Sequence, residues 1–457
     1  MTFSPSIFKA YDIRGLVKTE LSEELAYRFG RAFVVFLRGE GVIGPGKAIV
    51  VGRDMRESSP LFAAAVMRGI QDEGVKVVDI GLATSPLFYF ACANYPEHAG
   101  GIMVTASHNP PEFNGFKMVR EGGIPVGTGN GMEAIRDLIE QNDFSNPKTP
   151  GNVEMKDVIA DYSAAIFKLV KPENIRPLRI VIDAGNGMAG VTLPEILKKV
   201  PVQASYLFLE QDGRFPNHEA NPLKVETLKA LQEKVVELKA DLGFALDGDA
   251  DRVGMVDERG NVVAPSYFAA LLGLELLRDH PQGHYFYDLR SSMIVKEVWE
   301  KAGASTEPCM VGHSFIKRKM RDRAVFASEL SEHFYFSDMY NMECTDLAIL
   351  YILQMLSREQ RTLGELVRPL QKYFHSGEVN FEVKDKEKAM ADVEKEYKKV
   401  AKEISRPDGL WMKLPWGWIS LRPSNTEPML RLNMEATGQE KLEEELKKVK
   451  KVLGVGK

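Results

Sequence analysis

The chain of 457 residues carries a formal net charge of -5, with 44% hydrophobic and 27% charged residues. This composition is typical of a globular protein. The net charge does not indicate a basic surface for binding nucleic acid, and no apolar stretch is long enough to span a bilayer. The three cysteines fit neither a disulfide framework nor a zinc site, so we expect a cytoplasmic enzyme or binding protein.

A mixed polar and aromatic segment, Phe8–Gly15, opens the chain. Within it, Arg14 is suited to bidentate phosphate binding, and Tyr11 could support that role. The alternative is an ordinary surface loop.

The order strand, small-residue turn, helix and strand occurs three times. The first strands of the three copies are predicted at Lys47–Asp54, Arg179–Asp183 and Tyr285–Leu289. The helices extend to about Asp72, Lys199 and Ala302, and the second strands lie at Val75–Ile80, Ala204–Leu209 and near Pro308–Val311. We therefore expect three similar α/β units with mostly parallel sheets, each with its turn at the same edge.

The last section has a different pattern. A highly charged helix is predicted over Lys384–Ile404, two strands around a turn over Trp418–Arg422 and Met429–Glu435, and an amphipathic helix over Gln439–Leu453. This order indicates a smaller α+β domain. The predicted domains are residues 1–150, 151–256, 257–371 and 372–457.

An apolar run ends abruptly in a polar loop at Gly100–Pro111. Ser107 lies where the predicted strand gives way to that loop, the edge at which open α/β sheets place ligands. A hydroxyl followed at once by the imidazole of His108 could be a nucleophile or a site of covalent modification. The alternative is an ordinary Ser-His-Asn-Pro turn.

Three aspartates, Asp247, Asp249 and Asp251, follow the apolar run Leu242–Ala245. Residues two apart in extended chain point the same way, so the carboxylates would meet at one point. Packing them together is costly unless a hard cation such as Mg²⁺ or Mn²⁺ accepts their oxygens, and carboxylate-only ligation argues against zinc. Arg252 adds an anion-binding cation, and a solvated acidic turn is the alternative.

A tight loop near the C-terminus combines one guanidinium with small hydroxyl and amide side chains that could grip a phosphate from several sides. Its members are Arg422, Ser424, Asn425 and Thr426. A hairpin turn rich in serine and asparagine is the alternative.

A further cluster comprises His313 and Lys317, followed by residues 328–333. Glu329 and Ser331 are two apart, so in extended chain they face the same way. A carboxylate beside a hydroxyl is suited to hold neighbouring sugar hydroxyls, whereas the alternative is an exposed acidic loop.

Taken together, these stretches resemble the α-D-phosphohexomutase family, specifically its phosphomannomutase/phosphoglucomutase branch. Thr105–Pro110 is similar to the family's phosphoserine loop, Asp247–Arg252 to its metal loop, and Arg422–Pro428 to its phosphate-binding loop. The resemblance runs over nearly the whole chain, in the family's order.

The resemblance implies four domains around a central cleft: three similar α/β domains with mixed, mostly parallel sheets, and a smaller α+β C-terminal domain. It implies that hexose 1-phosphate and hexose 6-phosphate, of mannose and/or glucose, interconvert through a phosphoserine and a bound hexose 1,6-bisphosphate. The implied metal is Mg²⁺, the implied partner is a phosphosugar, with no nucleic acid or membrane, and the chain would be a monomer or small homo-oligomer.

The same resemblance assigns roles to individual residues. The catalytic residues would be Ser107, His108, Lys117, Arg252 and His313. The substrate-binding residues would be Tyr11, Arg14, Lys317, Glu329, Ser331, His333, Arg422, Ser424, Asn425 and Thr426. The ligands of Mg²⁺ would be Ser107, Asp247, Asp249 and Asp251.

Two residues of the sugar loop depart from the family, because Ser328 and Glu332 stand where glycines are usual. A carboxylate near a bound phosphate would be repelled, so we expect Glu332 to point out of the site or to pair with a cation from Lys317–Lys319, Arg321 or Arg323. If Glu332 instead faces a cationic sugar group, the enzyme would be a phosphoglucosamine mutase. A metal-dependent sugar phosphatase and a non-catalytic sugar-phosphate binding protein are two further hypotheses for the function.

Overall fold

A computed structural model describes residues 4–144, 149–423 and 429–454 of the chain. The chain divides into two units. The first comprises Met1–Ala264, Gly312–Ala327 and Ser331–Gly364, and the second comprises Pro265–Val311, Ser328–Leu330 and Glu365–Lys457. Within the described ranges, none of the helices has the length and apolarity that crossing a membrane requires.

The N-terminal segment is built on one mixed sheet. Its elements are β1 (Ile13–Leu16), α1 (Glu23–Gly39), β2 (Ala48–Arg53), α2 (Ser59–Asp72), β3 (Lys76–Leu82), α3 (Ser85–Asn94), β4 (His98–Val104), β5 (Phe113–Arg120), α4 (Met132–Gln141) and β6 (Val153–Met155). The sheet order is β1-β5-β4-β2-β3-β6, in which β4, β2, β3 and β6 are parallel, β5 is antiparallel to β4, and β1 is antiparallel to β5. Strand β4 is buried along its whole length, as a central strand covered on both faces must be.

Helices α1 and α2 approach closely at two glycines. A Cβ on Gly30 would lie 2.3 Å from the carbonyl oxygen of Val66, and one on Gly69 would lie 2.1 Å from that of Tyr27. Both glycines have ordinary helical backbone. Glycine is therefore needed at each position because the backbone of the opposite helix occupies the space of a side chain, and not because the backbone conformation requires it.

The second segment repeats the α/β pattern. Its elements are α5 (Ile159–Leu169), β7 (Arg179–Asp183), α6 (Ala189–Leu197), β8 (Gln203–Leu207), α7 (Lys229–Leu238), β9 (Leu242–Leu246), β10 (Val253–Asp257) and β11 (Val262–Val263). The sheet order is β11-β10-β9-β7-β8, in which β9, β7 and β8 are parallel, β10 is antiparallel to β9, and β11 is antiparallel to β10. Strand β9 ends at the residue before the three aspartates.

The third segment contributes to both units. Its elements are α8 (Pro265–Leu276), β12 (His284–Asp288), α9 (Met293–Lys301), β13 (Ser305–Cys309), α10 (His313–Arg323), β14 (Phe326–Ser328), β15 (Phe334–Phe336), β16 (Met342–Glu343), α11 (Thr345–Glu359) and α12 (Leu363–Val367). In one unit β12 and β13 pair in parallel, and in the other β15 and β16 pair antiparallel.

The C-terminal segment is an antiparallel sheet with two helices. Its elements are β17 (Phe374–His375), β18 (Val379–Glu382), α13 (Lys386–Tyr397), β19 (Glu403–Ser405), β20 (Leu410–Leu414), β21 (Gly417–Pro423), β22 (Met429–Ala436) and α14 (Gln439–Val452). The order is β17-β22-β21-β20-β19, and β18 also pairs with β22. The predicted class, α/β followed by a smaller α+β domain, is confirmed.

The helix predicted over Lys384–Ile404 is wrong at its C-terminal end. Helix α13 stops at Tyr397, and the chain then enters β19, where Glu403 pairs with Lys413 of β20. The charged sequence is compatible with a surface helix, but backbone pairing along β20 determines the conformation of its last residues.

We expect Gly69→Ala to destabilise the protein by about 2 kcal/mol or more, because the new methyl would meet backbone of α1 that cannot move cheaply. Urea unfolding of the variant and of the wild type measures the difference. Gly39→Ala is the matched control: no atom lies within 4 Å of its ideal Cβ. It should be neutral or slightly stabilising. Equal midpoints for Gly69→Ala and wild type would contradict the close packing of the two helices.

Candidate active site

Ser107 lies in the loop that follows β4 and is only 3% exposed. Its φ of 50° places it in the left-handed region, and its backbone N–H donates to Thr105 Oγ1 at 2.9 Å. The Ser107 hydroxyl donates to Asp247 Oδ2 at 2.8 Å and lies 3.1 Å from His108 Nδ1. The turn thus directs the hydroxyl at a carboxylate and an imidazole.

The structure brings Asp247, Asp249 and Asp251 together, with one carboxylate oxygen of each within 4.8 Å of the others. All three are buried. They lie in a turn between β9 and β10 in which Ala250 has a φ of 57°. The carboxylates therefore meet because the chain turns back, and not because an extended strand alternates its side chains.

Lys117, on β5, is the cation nearest to these carboxylates. Its ammonium lies 2.6 Å from Asp249 Oδ2 and also donates to Asp251, and Ser85 Oγ donates to Asp249 Oδ2 at 2.6 Å. Burial would lower the pKa of Lys117, but the two carboxylates hold it well above its ordinary value. Lys117 is therefore a fixed positive charge and cannot act as a base while it bridges the two aspartates.

Asp247 and Asp251 have pKa values shifted in opposite directions. Burial, with Asp251 and Asp249 beside it, raises the pKa of Asp247 to about 8. Burial would also raise the pKa of Asp251, but Lys117 and His333 hold it well below its ordinary value. The cluster therefore has more negative charge than its own cations balance.

The cluster is suited to a hard divalent cation. Asp249 Oδ1 is buried without a hydrogen-bond partner among the described residues. Such an orphaned acceptor, beside two more carboxylates and a serine hydroxyl, is the all-oxygen donor set that Mg²⁺, Mn²⁺ and Ca²⁺ take. The residues present fit a metal ion.

Arg252 and His333 lie beside the same carboxylates. Arg252 Nε is 3.4 Å from His333 Nε2 and 3.9 Å from Asp247 Oδ2. His333 also lies 3.2 Å from Asp251 Oδ1 through Nε2, and 3.1 Å from Ser331 Oγ through Nδ1. One imidazole thus connects the predicted sugar-binding hydroxyl to the aspartate cluster.

The imidazole of His108 is neutral at neutral pH. Burial lowers its pKa well below the ordinary value, and the positive charges of Arg252 and Arg14 lower it further. A neutral imidazole 3.1 Å from Ser107 Oγ can accept the proton of that hydroxyl.

Of the two N-terminal candidates, Arg14 reaches the serine loop and Tyr11 contacts His313. Arg14, on β1, donates to Asn109 Oδ1 at 2.6 Å and pairs with Asp12. The ring of Tyr11 packs edge-on against that of His313, with 5.1 Å between centroids. Burial, with Lys317 and Lys117 nearby, lowers the pKa of His313 well below its ordinary value.

Lys317, on α10, is fully buried. Its ammonium lies 2.6 Å from Glu343 Oε2 and 3.8 Å from the centroid of the Tyr89 ring. Burial lowers the pKa of Lys317, against the attraction of Glu343. Sequence patterns missed this carboxylate, because Glu343 sits on the two-residue strand β16, outside the segments singled out from the sequence.

The second unit holds Glu329 and Arg422, both buried. The backbone N–H of Leu330 donates to Asp288 Oδ2 at 2.8 Å, which fixes the loop that carries Glu329. Arg422 Nη2 and Nη1 lie 3.3 Å from carboxylate oxygens of Glu378 and Asp408, respectively. Three further phosphate-loop candidates lie outside the described residues: Ser424, Asn425 and Thr426.

Glu332 is 3% exposed, so its carboxylate does not project into solvent. Its Oε1 lies 3.0 Å from where a Cβ on Gly254 would be. Burial raises its pKa to about 7 against the attraction of Arg252 and His333. Its φ of 66° lies in the left-handed region, which explains why glycine suits this position.

Of the cations expected to pair with Glu332, two are engaged elsewhere. Lys317 pairs with Glu343, and Arg321 donates to the carbonyl oxygens of Gly122 and Tyr340. Arg252, in the aspartate loop, and His333 are positive charges that attract Glu332.

Four family profiles match consecutive parts of the chain. Those described as phosphoglucomutase/phosphomannomutase alpha/beta/alpha domains I, II and III match residues 5–146, 160–260 and 264–373, and the C-terminal domain matches residues 378–452. The chain belongs to the phosphoglucomutase/phosphomannomutase family.

Relatives and solved structures agree with this membership. A phosphomannomutase of Vibrio cholerae is 37% identical over 97% of this chain and 98% of its own, and one of Methanocaldococcus jannaschii is 35% identical over 98% and 97%. A phosphoglucomutase/phosphomannomutase family protein of Burkholderia thailandensis has a TM-score of 0.90 at 32% identity, covering 100% of this chain and 99% of that one. The protein is therefore a phosphohexomutase, an isomerase of carbohydrate metabolism.

We expect Glu332→Gln to gain stability relative to wild type as pH rises. The folded pKa of about 7 exceeds the ordinary value of 4.5, so the penalty for ionising Glu332 is absent below about pH 4.5 and complete above pH 7. When complete, this penalty lowers the free energy of unfolding of the wild type by about 3 kcal/mol. Urea unfolding at pH 5 and pH 8 measures the change, with exposed Glu233→Gln as the control. A pH-independent difference would contradict the burial of an ionisable carboxylate.

Proposed function

We propose that Ser107 carries a phosphoryl group and transfers it to a hydroxyl of a hexose phosphate. Hexose 1-phosphate and hexose 6-phosphate, of mannose and/or glucose, would then interconvert through a bound hexose 1,6-bisphosphate. The observation that carries this proposal is the Ser107 hydroxyl, held at 2.8 Å from Asp247 and 3.1 Å from His108 beside the aspartate cluster. The names of the phosphomannomutase relatives support the choice of sugar.

The transfer needs a proton at the serine oxygen. When phosphoserine gives up its phosphoryl group, the bond from Ser107 Oγ to phosphorus breaks, a bond from phosphorus to the sugar oxygen forms, the sugar hydroxyl releases its proton, and Oγ accepts one. His108 is the imidazole nearest to Oγ and is uncharged at neutral pH, so in the reverse transfer it can accept the proton of the Ser107 hydroxyl. We assign this role to His108.

The metal ligands would be Ser107, Asp247, Asp249 and Asp251, with Mg²⁺ as the cation. Bound there, Mg²⁺ offsets the negative charge of a phosphoryl group in transfer. Lys117 would remain beside Asp249 and Asp251 and add positive charge, and Arg252 would face the phosphoryl oxygens.

Substrate binding would be shared among several groups. Glu329 and Ser331 would hold sugar hydroxyls, and His333 would orient Ser331 through their 3.1 Å contact. The phosphate-binding residues would be Tyr11, Arg14, Lys317, Arg422, Ser424, Asn425 and Thr426. The enclosure of Glu332 against β10 gives no support to an amino-sugar substrate. A cytoplasmic location and a monomer or small homo-oligomer remain predictions.

Ser107→Ala should lower mutase turnover by orders of magnitude and leave the fold intact, because it removes the only group to which the phosphoryl group is bound. Intact-protein mass should show one phosphoryl group on the wild type, lost on incubation with glucose 1-phosphate or mannose 1-phosphate, and none on the variant. Ser163→Ala, at another buried serine, is the control and should keep the activity. Near-normal turnover by Ser107→Ala would refute the assignment.

Asp249→Asn should lower Mg²⁺ affinity by about tenfold or more, since a neutral amide offsets less of the cation's charge. Calorimetric titration with Mg²⁺ measures the affinity, and the mutase rate should fall with it. Asp257→Asn, which alters a buried carboxylate at the far end of β10, is the control. Full activity of EDTA-treated wild type would show that the metal assignment is wrong.

A further inference from the structure

Arg56 lies beneath the serine loop and is 1% exposed. Its guanidinium donates to four backbone carbonyl oxygens of that loop: Ser107 at 2.9 Å, Asn109 at 2.6 Å, Pro110 at 2.7 Å and Phe113 at 2.9 Å. A guanidinium has five N–H donors in a rigid plane, and four of these bonds hold one short loop. The arginine therefore fixes the loop backbone.

Asp54, at the end of β2, fixes Arg56 in turn. Its Oδ2 accepts from Arg56 Nε at 3.2 Å, and its Oδ1 accepts from the backbone N–H of Arg56 at 3.0 Å and from Ser59 Oγ. Both Asp54 and Arg56 are buried, so the charge of each is paired without solvent. The guanidinium is thus held in one orientation.

Phe215, from the loop after β8, covers the guanidinium of Arg56. The centroid of its ring lies 5.2 Å from Arg56 Cζ, which is within cation–π range. The same loop approaches the backbone, since a Cβ on Gly213 would lie 2.5 Å from Arg56 Cα. This contact joins the N-terminal segment to the segment that carries the aspartates.

Gly248, between the first two aspartates, lies close to both Phe215 and the backbone of Ser107. A Cβ on Gly248 would lie 3.6 Å from Phe215 Cζ and 2.4 Å from the carbonyl oxygen of Ser107. That carbonyl is one of the four that Arg56 holds. The serine loop and the aspartate loop therefore meet against a shared arginine and phenylalanine.

We propose that Arg56 and Phe215 are positioning residues that set the Ser107 hydroxyl against the aspartate cluster. Among the described contacts, none joins either side chain to the Ser107 hydroxyl or to the three carboxylates, so both act through the backbone of the two loops. A displacement of about 1 Å at a reacting group costs about a hundredfold in rate. The inference rests on the proposed role of Ser107 as phosphoryl carrier.

The test uses Arg56→Lys, which keeps the charge but loses the planar fork, and Phe215→Leu, which keeps apolar volume but loses the ring face. The enzyme is first phosphorylated with glucose 1,6-bisphosphate, and loss of the phosphoryl group to glucose 1-phosphate is followed by intact mass in single turnovers. Each variant should transfer about a hundredfold more slowly, with KM for glucose 1-phosphate within about twofold of wild type. The double variant should lose no more than the worse single variant, because the residues act as one unit.

The N-terminal segment contains a matched control. Arg31 is buried, donates to Glu73 at 2.7 Å and lies 4.8 Å from the centroid of the Phe144 ring, with no contact to the serine loop among the described bonds. Arg31→Lys and Phe144→Leu should therefore lower the unfolding midpoint as the test variants do, but leave the transfer rate unchanged.

Transfer at the wild-type rate by Phe215→Leu, or an equal slowing by the control variants, would overturn the inference and leave the phosphoserine role standing. If Arg56→Lys fails to fold, Phe215→Leu alone decides. If the wild type never acquires a phosphoryl group on Ser107, the proposed function fails and this inference fails with it. The wild-type mass distinguishes the two cases.

Discussion

The balance of charge around three buried carboxylates is the constraint on which the site depends. Asp247, Asp249 and Asp251 lie within 4.8 Å of one another, and a buried charge left unpaired costs several kcal/mol. Cations from separate stretches of the sequence offset this negative charge, chiefly Lys117 from β5 and Arg252 from the turn itself. These ion pairs therefore join separate stretches of the sequence, and Oδ1 of Asp249, unpartnered within the described part of the chain, leaves an oxygen that a divalent cation can bind.

The loops that present the reactive groups have unfavourable backbone. Ser107, Ala250 and Glu332 all have φ in the left-handed region, at about 1 kcal/mol or more for each residue with a side chain. Such conformations persist only where the surroundings over-determine them, as Arg56 does for the serine loop. At these three positions the strained backbone lies where the chain reverses and directs a hydroxyl or a carboxylate.

The sequence predicts well what is local. Apolar runs and small-residue turns locate strands such as β7 to the residue, because side-chain periodicity and turn chemistry are properties of neighbours in the chain. The ion pair of Lys317 with Glu343 and the bonds of Arg56 join residues far apart in sequence, and no spacing rule encodes them. The position of Glu332 is also set by residues distant in sequence, because it is buried against Gly254 of β10. An argument from repulsion by a bound phosphate does not take that contact into account.

The glycine at position 248 has a consequence for how such sequences are recognised. No residue with a Cβ fits there, because the carbonyl oxygen of Ser107 occupies the space. The sequence Asp-Gly-Asp therefore meets two requirements. The aspartates supply carboxylates for a cation, and the glycine leaves space for the backbone of the serine loop. The glycine of this short pattern thus depends on a tertiary contact. A search for the pattern in other chains would favour chains that also have the contacting serine loop, and not only the metal ligands.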